Sequence, residues 1–165
     1  MKTVGSLAIK AAIIFVASSL IGVGLNLVSS KPLPWIYEPP PQVEVSGVKV
    51  PLIDEKVARK LFDDPATVFV DTRTEKDYSK GHVEGSVFLP AHDDTEERFM
   101  AVESLLPRRS RLVLYCYGPQ CEMAEEVARF LAQLGYRRMT IMSAGYRAWE
   151  KAGYPVEKRR AQNRR

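Results

Sequence analysis

The pattern of apolar positions changes abruptly within residues 111–135. Residues 112–115 form an uninterrupted apolar run, which is typical of a strand buried on both faces of a parallel sheet. After Gly118 and Pro119, apolar side chains recur at helical spacing, and Gly135 is placed to end a helix. This stretch therefore predicts a strand, a tight loop and a helix.

Short apolar runs alternate with amphipathic segments along the rest of the domain. Asp54 is a candidate N-cap for the first predicted helix, and residues 81–86 predict a loop. The order of elements predicts an α/β fold, a parallel sheet with helices on both faces. Further strands are predicted at residues 68–70, 87–89 and 139–142, and further helices at residues 55–62, 75–78, 94–106 and 144–152.

The N-terminal part of the chain is predicted to be a membrane anchor. Residues 11–28 carry no charge, and residues 4–9 extend the run to a length that crosses a bilayer as a helix. Lys2 and Lys10 precede the uncharged segment 11–28, whereas only Lys31 follows it closely. The positive-inside rule then places the N-terminus in the cytoplasm and the rest outside. We expect a single-pass inner-membrane protein whose soluble domain lies on the periplasmic side.

A cleaved signal peptide is the alternative interpretation of this segment. It has a basic start, and small or short side chains occupy residues 28–30 near its end. The apolar run is long for a signal-peptide core, however, and no Ala-x-Ala cleavage site stands out. The uncleaved anchor is therefore the preferred interpretation.

The chain is expected to divide into four segments. Three prolines at residues 39–41 favour an extended linker. The formal net charge is +4, and basic residues crowd the C-terminus without interleaved aromatic side chains, so no nucleic-acid partner is expected. The expected boundaries are 5–28 for the anchor, 29–45 for the proline-rich linker, 46–157 for the α/β domain and 158–165 for a basic tail.

Cys116 directly follows the predicted strand at residues 112–115 and precedes the predicted helix. In open α/β sheets, ligands bind at this carboxyl edge of the strands. Free backbone N–H groups and the helix dipole favour negative charge there, so a thiol ionises more readily. The position suits a nucleophilic or sulfur-carrying cysteine, but a buried, inert cysteine is an equally good interpretation of the local sequence.

Three segments resemble the sequence blocks of rhodanese domains. Residues 68–90, VFVDTRTEKDYSKGHVEGSVFLP, resemble the family's Asp-x-Arg and Gly-His block, and residues 113–121, VLYCYGPQC, resemble its cysteine loop. Residues 143–157, SAGYRAWEKAGYPVE, resemble its C-terminal block. The resemblance covers residues 50–157 and implies a rhodanese-like fold that needs neither a metal nor an organic cofactor.

The resemblance also implies a sulfurtransferase in which Cys116 carries sulfane sulfur as a persulfide. The partners would be a small sulfur-containing donor and a thiol acceptor, and no protein partner is indicated. The backbone N–H groups of the loop are expected to point inward and stabilise the sulfur anion. This substrate-binding loop comprises Tyr117, Gly118, Pro119, Gln120 and Cys121.

Asp71, Arg73 and His82 fall in the first resembling block, and we expect structural roles for all three. Arg73 can pair with a carboxylate or hold loop carbonyl groups. His82 in a Gly-His turn is expected to bond to the backbone rather than to act as a base. Trp149 and Tyr154 are expected to fill the core beneath the last helix.

The loop departs from the family pattern in its charge. It contains no Lys or Arg, and Glu122, Glu125 and Glu126 follow it closely. These carboxylates oppose a dianionic donor, so thiosulfate is disfavoured and a polysulfide or persulfide donor is expected. Phosphatases and arsenate reductases of this fold need an arginine where this chain has Glu122, so we expect neither activity.

Both cysteines of the chain, Cys116 and Cys121, lie in this one loop. A disulfide between them is chemically available outside the cytoplasm. We nevertheless expect Cys121 to turn away from the loop centre, as a small apolar residue in the first helical turn. Two alternatives to the sulfurtransferase therefore stay open: a non-catalytic binding module and a Cys116/Cys121 dithiol redox protein.

Overall fold

The computed structural model describes residues 2–29, 40–92 and 94–158, which divide into two compact units at residues 39 and 40. The first unit contains helix α1, Lys2–Val28. Within it, the stretch Ile9–Val28 has a mean hydropathy of 2.2, and none of it is buried inside the protein. By length and composition α1 is a candidate membrane span, although a signal sequence has the same properties.

The second unit is built on a six-stranded sheet in the order β1-β2-β7-β6-β3-β5. The edge strand β1 is antiparallel to β2, and every other pair is parallel. The predicted parallel sheet is therefore confirmed, with one antiparallel edge. Two further strands, β4 and β8, form a separate pair. The strands of the unit are β1 Gln42–Val45, β2 Val48–Ile53, β3 Thr67–Asp71, β4 His82–Val83, β5 Val87–Phe88, β6 Arg111–Tyr115, β7 Met139–Met142 and β8 Val156–Glu157.

Five helices connect these strands. The carboxylate of Asp54 accepts the backbone N–H of Val57 at 2.7 Å, which confirms the predicted N-cap. The predicted helix at residues 94–106 is divided, because its last turn tightens into the 3₁₀ turn Glu103–Leu105. The helices are α2 Glu55–Phe62, α3 Glu75–Lys80, α4 Thr95–Val102, α5 Met123–Gln133 and α6 Gly145–Lys151.

The domain begins earlier than the predicted boundary at residue 46. β1 and β2 form a hairpin through Ser46 and Gly47, whose φ angles of 48° and 73° both lie in the left-handed region. Such a two-residue turn matches the twist of an antiparallel pair. The last four residues of the expected linker, Gln42–Val45, are therefore a strand of the sheet.

The loop expected at residues 81–86 also contains a strand. β4 pairs antiparallel with β8, with His82 opposite Glu157 and Val83 opposite Val156. Two-residue strands carry almost no periodic signal, and this pair forms only when distant segments meet. Residues 30–39 of the predicted linker and residues 159–165 of the predicted tail lie outside the described residues.

Alternate residues of β6 feed two apolar layers, one on each face of the sheet. Leu112 and Leu114 pack into the layer under α5, whereas Val113 and Tyr115 pack into the layer under α6. Trp149 is fully buried in the second layer, and its ring lies 5.0 Å from that of Tyr154. The expectation for these two aromatic residues is confirmed. β6 is thus the central, doubly covered strand, and its carboxyl end positions Cys116.

Candidate functional site

Cys116 lies at the carboxyl end of β6, between the ends of β3 and β7. The last residue of β6, Tyr115, is in register with Asp71 on one side and Met142 on the other. Cys116 is 3% exposed, and the loop that follows it runs to the start of α5 at Met123. The expected location of Cys116 at a strand-loop-helix junction is confirmed.

The beginning of α6 clamps this loop. The backbone N–H of Tyr146 donates to the carbonyl of Cys116 at 2.7 Å, and that of Arg147 donates to the carbonyl of Tyr117 at 3.3 Å. Gly145 has a φ of +68°, and a Cβ there would lie 2.5 Å from the Cα of Gly118. A glycine is therefore needed for the loop and α6 to approach so closely.

A buried ion pair lies beneath the loop. Arg73 binds Asp71 in a two-pronged arrangement, with Nε at 3.0 Å from Oδ1 and Nη2 at 2.6 Å from Oδ2. Nη2 also donates to the carbonyl of Gly81 at 2.7 Å. Burial by itself lowers the pKa of Arg73, but the hydrogen bond and charge of Asp71 outweigh it, so the pKa is raised.

The hydroxyl of Tyr115 connects this ion pair to β4. It donates to Oδ2 of Asp71 at 2.8 Å, accepts the backbone N–H of Val83 at 3.1 Å and lies 3.0 Å from Oγ of Ser86. Burial and the negative charge of Asp71 raise the pKa of Tyr115 well above its ordinary value. The hydroxyl therefore stays protonated and serves as a donor.

The guanidinium of Arg73 also lies against the aromatic residues of the loop and α6. Its central carbon is 3.9 Å from the ring centre of Tyr146 and 5.8 Å from that of Tyr117. Burial and the neighbouring Glu150 carboxylate raise the pKa of Tyr146 to about 12. Arg73 is thus the point at which β3, the cysteine loop and α6 meet.

Tyr117 ties the loop to α3. Its hydroxyl donates to Oδ2 of Asp77 at 2.7 Å and lies 3.5 Å from Oγ1 of Thr74. Hydrogen bonds from Tyr117, Lys80 and Thr74 hold the pKa of Asp77 well below its usual range. Asp77 is therefore an ionised acceptor that fixes the position of the Tyr117 ring.

The structure joins Cys116 and Cys121 in a disulfide, with Cα atoms 6.4 Å apart. The expectation that Cys121 turns away from the loop centre is therefore wrong. α5 begins only at Met123, so helix geometry does not govern the side chain of Cys121. In addition, Gln120 has a φ of 66°, which turns the chain back toward Cys116.

The polar surroundings of the Cys116 sulfur also differ from expectation. Sγ lies 3.5 Å from the carbonyl oxygen of Cys121 and 3.9 Å from that of Gly118. Carbonyl oxygens carry partial negative charge, so they do not stabilise a sulfur anion. The loop was expected to point backbone N–H groups at this sulfur. In the disulfide form, the polar groups found near Sγ among the described residues are these two carbonyl oxygens instead.

Both ring nitrogens of His82 have a hydrogen-bonding partner. Its Nδ1 lies 2.7 Å from the carbonyl oxygen of Tyr78, and its Nε2 lies 2.9 Å from Oε1 of Glu157. The ring is 3% exposed and stacks on the Tyr78 ring at 3.7 Å. The contacts with Tyr78 fasten β4 to α3, and the contact with Glu157 fastens β4 to β8.

A pocket of about 290 Å³ opens beside the cysteine loop and touches that loop through Tyr117. Sequence reasoning missed several of the residues around it. In the sequence, only the polar and aromatic side chains of the segments that resemble rhodanese domains could have indicated such a pocket. Their grouping around one pocket depends on the folded chain. The pocket is lined by Arg73, Asp77, Lys80, Gly81, Tyr117, Tyr146, Arg147 and Glu150.

The model of the family described as rhodanese-like domain matches residues 54–152, so the chain belongs to the rhodanese-like family. Rhodanese-like domain-containing protein 17 of Arabidopsis thaliana is 30% identical over 122 residues, covering 68% of this chain and 76% of that protein. A tRNA uridine(34) hydroxylase of Pectobacterium carotovorum is 35% identical over 87 residues, which are 52% of this chain. The match spans only 24% of the hydroxylase.

Solved structures share the fold. The BH2092 protein of Bacillus halodurans has a TM-score of 0.53 and 25% identity, covering 65% of this chain and 76% of its own. A rhodanese-like domain from Anabaena has a TM-score of 0.53 at 22% identity, covering 69% and 84%. EanB with cysteine substitutions, in a complex with hercynine, has a TM-score of 0.57 at 21% identity, covering 65% of this chain and 27% of EanB.

The contact between Gly145 and the cysteine loop can be tested against a matched glycine. Gly153 also has a positive φ, 72°, but a Cβ there meets nothing within 4 Å. We expect Gly153→Ala to lower the free energy of unfolding by about 1–2 kcal/mol through backbone strain alone. Gly145→Ala adds the clash with the loop, which costs roughly 1–3 kcal/mol more.

The measurement is urea unfolding of the full chain in mild detergent, followed by tryptophan fluorescence. Equal losses of stability for the two variants would contradict the close approach of α6 to the loop.

Proposed function

We propose that this protein is a rhodanese-type sulfurtransferase in which Cys116 carries sulfane sulfur as a persulfide and passes it to a thiol. The observation that carries the proposal is the position of Cys116. It sits at the carboxyl end of the central strand, in a loop clamped by α6 and backed by Arg73. Membership of the rhodanese-like family supports the same assignment.

The proposed reaction consists of two thiolate exchanges. The Cys116 thiolate attacks the terminal sulfur of a donor persulfide R–S–SH, the donor S–S bond breaks, and its electron pair leaves with R–S⁻. An acceptor thiolate R′–S⁻ then attacks the outer sulfur on Cys116, so that R′–S–SH forms and the Cys116 thiolate is regenerated. Neither exchange consumes an external oxidant or reductant.

The Cys116–Cys121 disulfide has no thiolate and must be reduced before the first exchange. A thiol or dithiol reductant would supply the two electrons and two protons. The disulfide also favours a second candidate function, a dithiol redox protein. In that case Cys116–S–SH and Cys121–SH give the disulfide and release H₂S, and each turnover consumes the reductant.

The charge around the loop argues for a singly charged persulfide or hydropolysulfide donor over thiosulfate. The described loop residues include no Lys or Arg, and two carbonyl oxygens lie near Sγ of Cys116. Glu122, Glu125 and Glu126 add negative charge at the start of α5. A dianion is repelled more strongly than a singly charged donor by these groups.

The experiment measures sulfur transfer to an external thiol by the reduced full chain, with a persulfide, polysulfide or thiosulfate donor. We expect Cys116→Ser to lose activity by about 1000-fold or more, because the nucleophile is removed. Cys121→Ser should keep the transfer activity, since the thiol of Cys121 takes no part in either exchange. Thiosulfate should be the poorest of the three donors.

Other results would favour other functions. Equal losses for Cys116→Ser and Cys121→Ser would contradict simple sulfur transfer and support the dithiol redox protein. Activity that survives in Cys116→Ser would reject both catalytic proposals and favour the binding module.

We also propose that α1 stays uncleaved and anchors the domain on the periplasmic side of the inner membrane. The support is its apolar stretch Ile9–Val28, together with Lys2 before this stretch and Lys10 near its start. Alkaline phosphatase fused after residue 165 should be active in a bacterial host and should stay in the membrane fraction. An inactive fusion would contradict the orientation, and a soluble periplasmic product lacking α1 would show cleavage.

A further inference from the structure

The pocket beside the cysteine loop, here called the side pocket, has the size of a site for one small molecule. Its volume of about 290 Å³ lies just below the range that is usual for small-molecule sites, roughly 300–1,000 Å³. Tyr117, one of its walls, follows Cys116 directly in the chain. A ligand bound there therefore lies next to the sulfur-carrying loop.

The walls of the side pocket are held in place before any ligand binds. The Tyr117 hydroxyl donates to Asp77 at 2.7 Å, and the Tyr146 hydroxyl donates to Glu150 at 3.1 Å. The guanidinium of Arg73 lies against both tyrosine rings. A preformed site of this kind loses little conformational entropy on binding.

Most of the charges in the side pocket already have an ionic partner. Arg73 pairs with Asp71 at 2.6 Å, outside the lining, and Lys80 pairs with Asp77 at 3.0 Å. Two charged groups remain, both exposed on α6. The Arg147 side chain has no hydrogen bond or ion pair with any residue that the structure describes, and the Glu150 carboxylate accepts only from Tyr146 there.

Arg147 and Glu150 are three residues apart on α6 and therefore lie on one face of it. They present a cation and an anion side by side to the same pocket. This arrangement complements a zwitterion, because an arginine fork matches a carboxylate and a glutamate matches an ammonium group. Neither polysulfide nor thiosulfate carries such a pair of groups.

We propose that the side pocket binds the α-carboxylate and α-ammonium groups of an amino-acid persulfide, with cysteine persulfide as the donor that loads Cys116. Arg147 binds the carboxylate and Glu150 binds the ammonium group. This inference rests on the proposed function, which it deepens by naming the donor class. The Cys116 thiolate attacks the terminal sulfur, the donor S–S bond breaks, and cysteine leaves as its thiolate.

The test compares cysteine persulfide with two analogues that each lack one of its charged groups. Cysteine persulfide has both charged groups, 3-mercaptopropionate persulfide lacks the ammonium group, and cysteamine persulfide lacks the carboxylate. The full chain in detergent is first reduced with a dithiol, which is then removed. The rate at which Cys116 is loaded is measured as kcat/KM for each of these donors. Inorganic polysulfide, which carries neither charged group, is the fourth donor.

We expect Arg147→Gln to lower kcat/KM about 10-fold for cysteine persulfide and for 3-mercaptopropionate persulfide, mainly through KM. The same variant should leave cysteamine persulfide and polysulfide unchanged. Glu150→Gln should affect cysteine persulfide and cysteamine persulfide instead. Arg129→Gln, an exposed arginine of α5 outside the side pocket, is the matched control and should change none of them.

Losses that are equal for all four donors, or absent for all four, would overturn the side-pocket proposal while Cys116 still becomes loaded. If no donor loads Cys116, the proposed function fails, and binding of the unreactive S-methylcysteine, followed by NMR, decides the pocket separately. Binding to the unsubstituted chain that Arg147→Gln weakens about 10-fold would support the pocket. The absence of binding would reject it.

Discussion

The architecture of the candidate site depends on the buried ion pair between Arg73 and Asp71. Each side chain is nearly inaccessible to water, so each charge is compensated by the opposite charge of its partner and not by solvent. Breaking such a pair by removing one partner typically costs about 3–5 kcal/mol. The pair also fixes more than itself, because Asp71 accepts the Tyr115 hydroxyl and Arg73 holds the Gly81 carbonyl. One ionic contact thereby joins β3, β6 and the loop before β4.

Above this ion pair, the first residues of the cysteine loop are held in place, and its two end residues, Cys116 and Cys121, are the ones that can change chemistry. The backbone N–H groups of Tyr146 and Arg147 hold its first residues, and the disulfide between Cys116 and Cys121 closes it. In that form, carbonyl oxygens face the sulfur, and no thiolate exists to accept sulfane sulfur. The redox state of the loop therefore decides whether Cys116 is available as a nucleophile.

Much of the fold follows from local periodicity. The apolar run before Cys116 and the helical spacing after it predicted β6 and α5, and the sequence blocks placed Asp71, Arg73 and Trp149 correctly. The direction of the Cys121 side chain was predicted wrongly, because it depends on the helix starting two residues later and on the turn at Gln120. The β4–β8 pair and the side pocket arise from contacts between segments distant in sequence, which no local pattern encodes. β1 pairs with its immediate neighbour β2, but its four residues fell within the predicted linker.

Intact mass spectrometry of the reduced full chain, freed of reductant and then exposed to cysteine persulfide, tests directly whether Cys116 carries sulfur for transfer. We expect a gain of one sulfur atom that maps to Cys116 and disappears when a thiol acceptor is added. Return to the disulfide, seen as a loss of two hydrogens with no sulfur retained, would contradict the claim that Cys116 holds sulfur for transfer. An adduct that maps to Cys121 would contradict it equally.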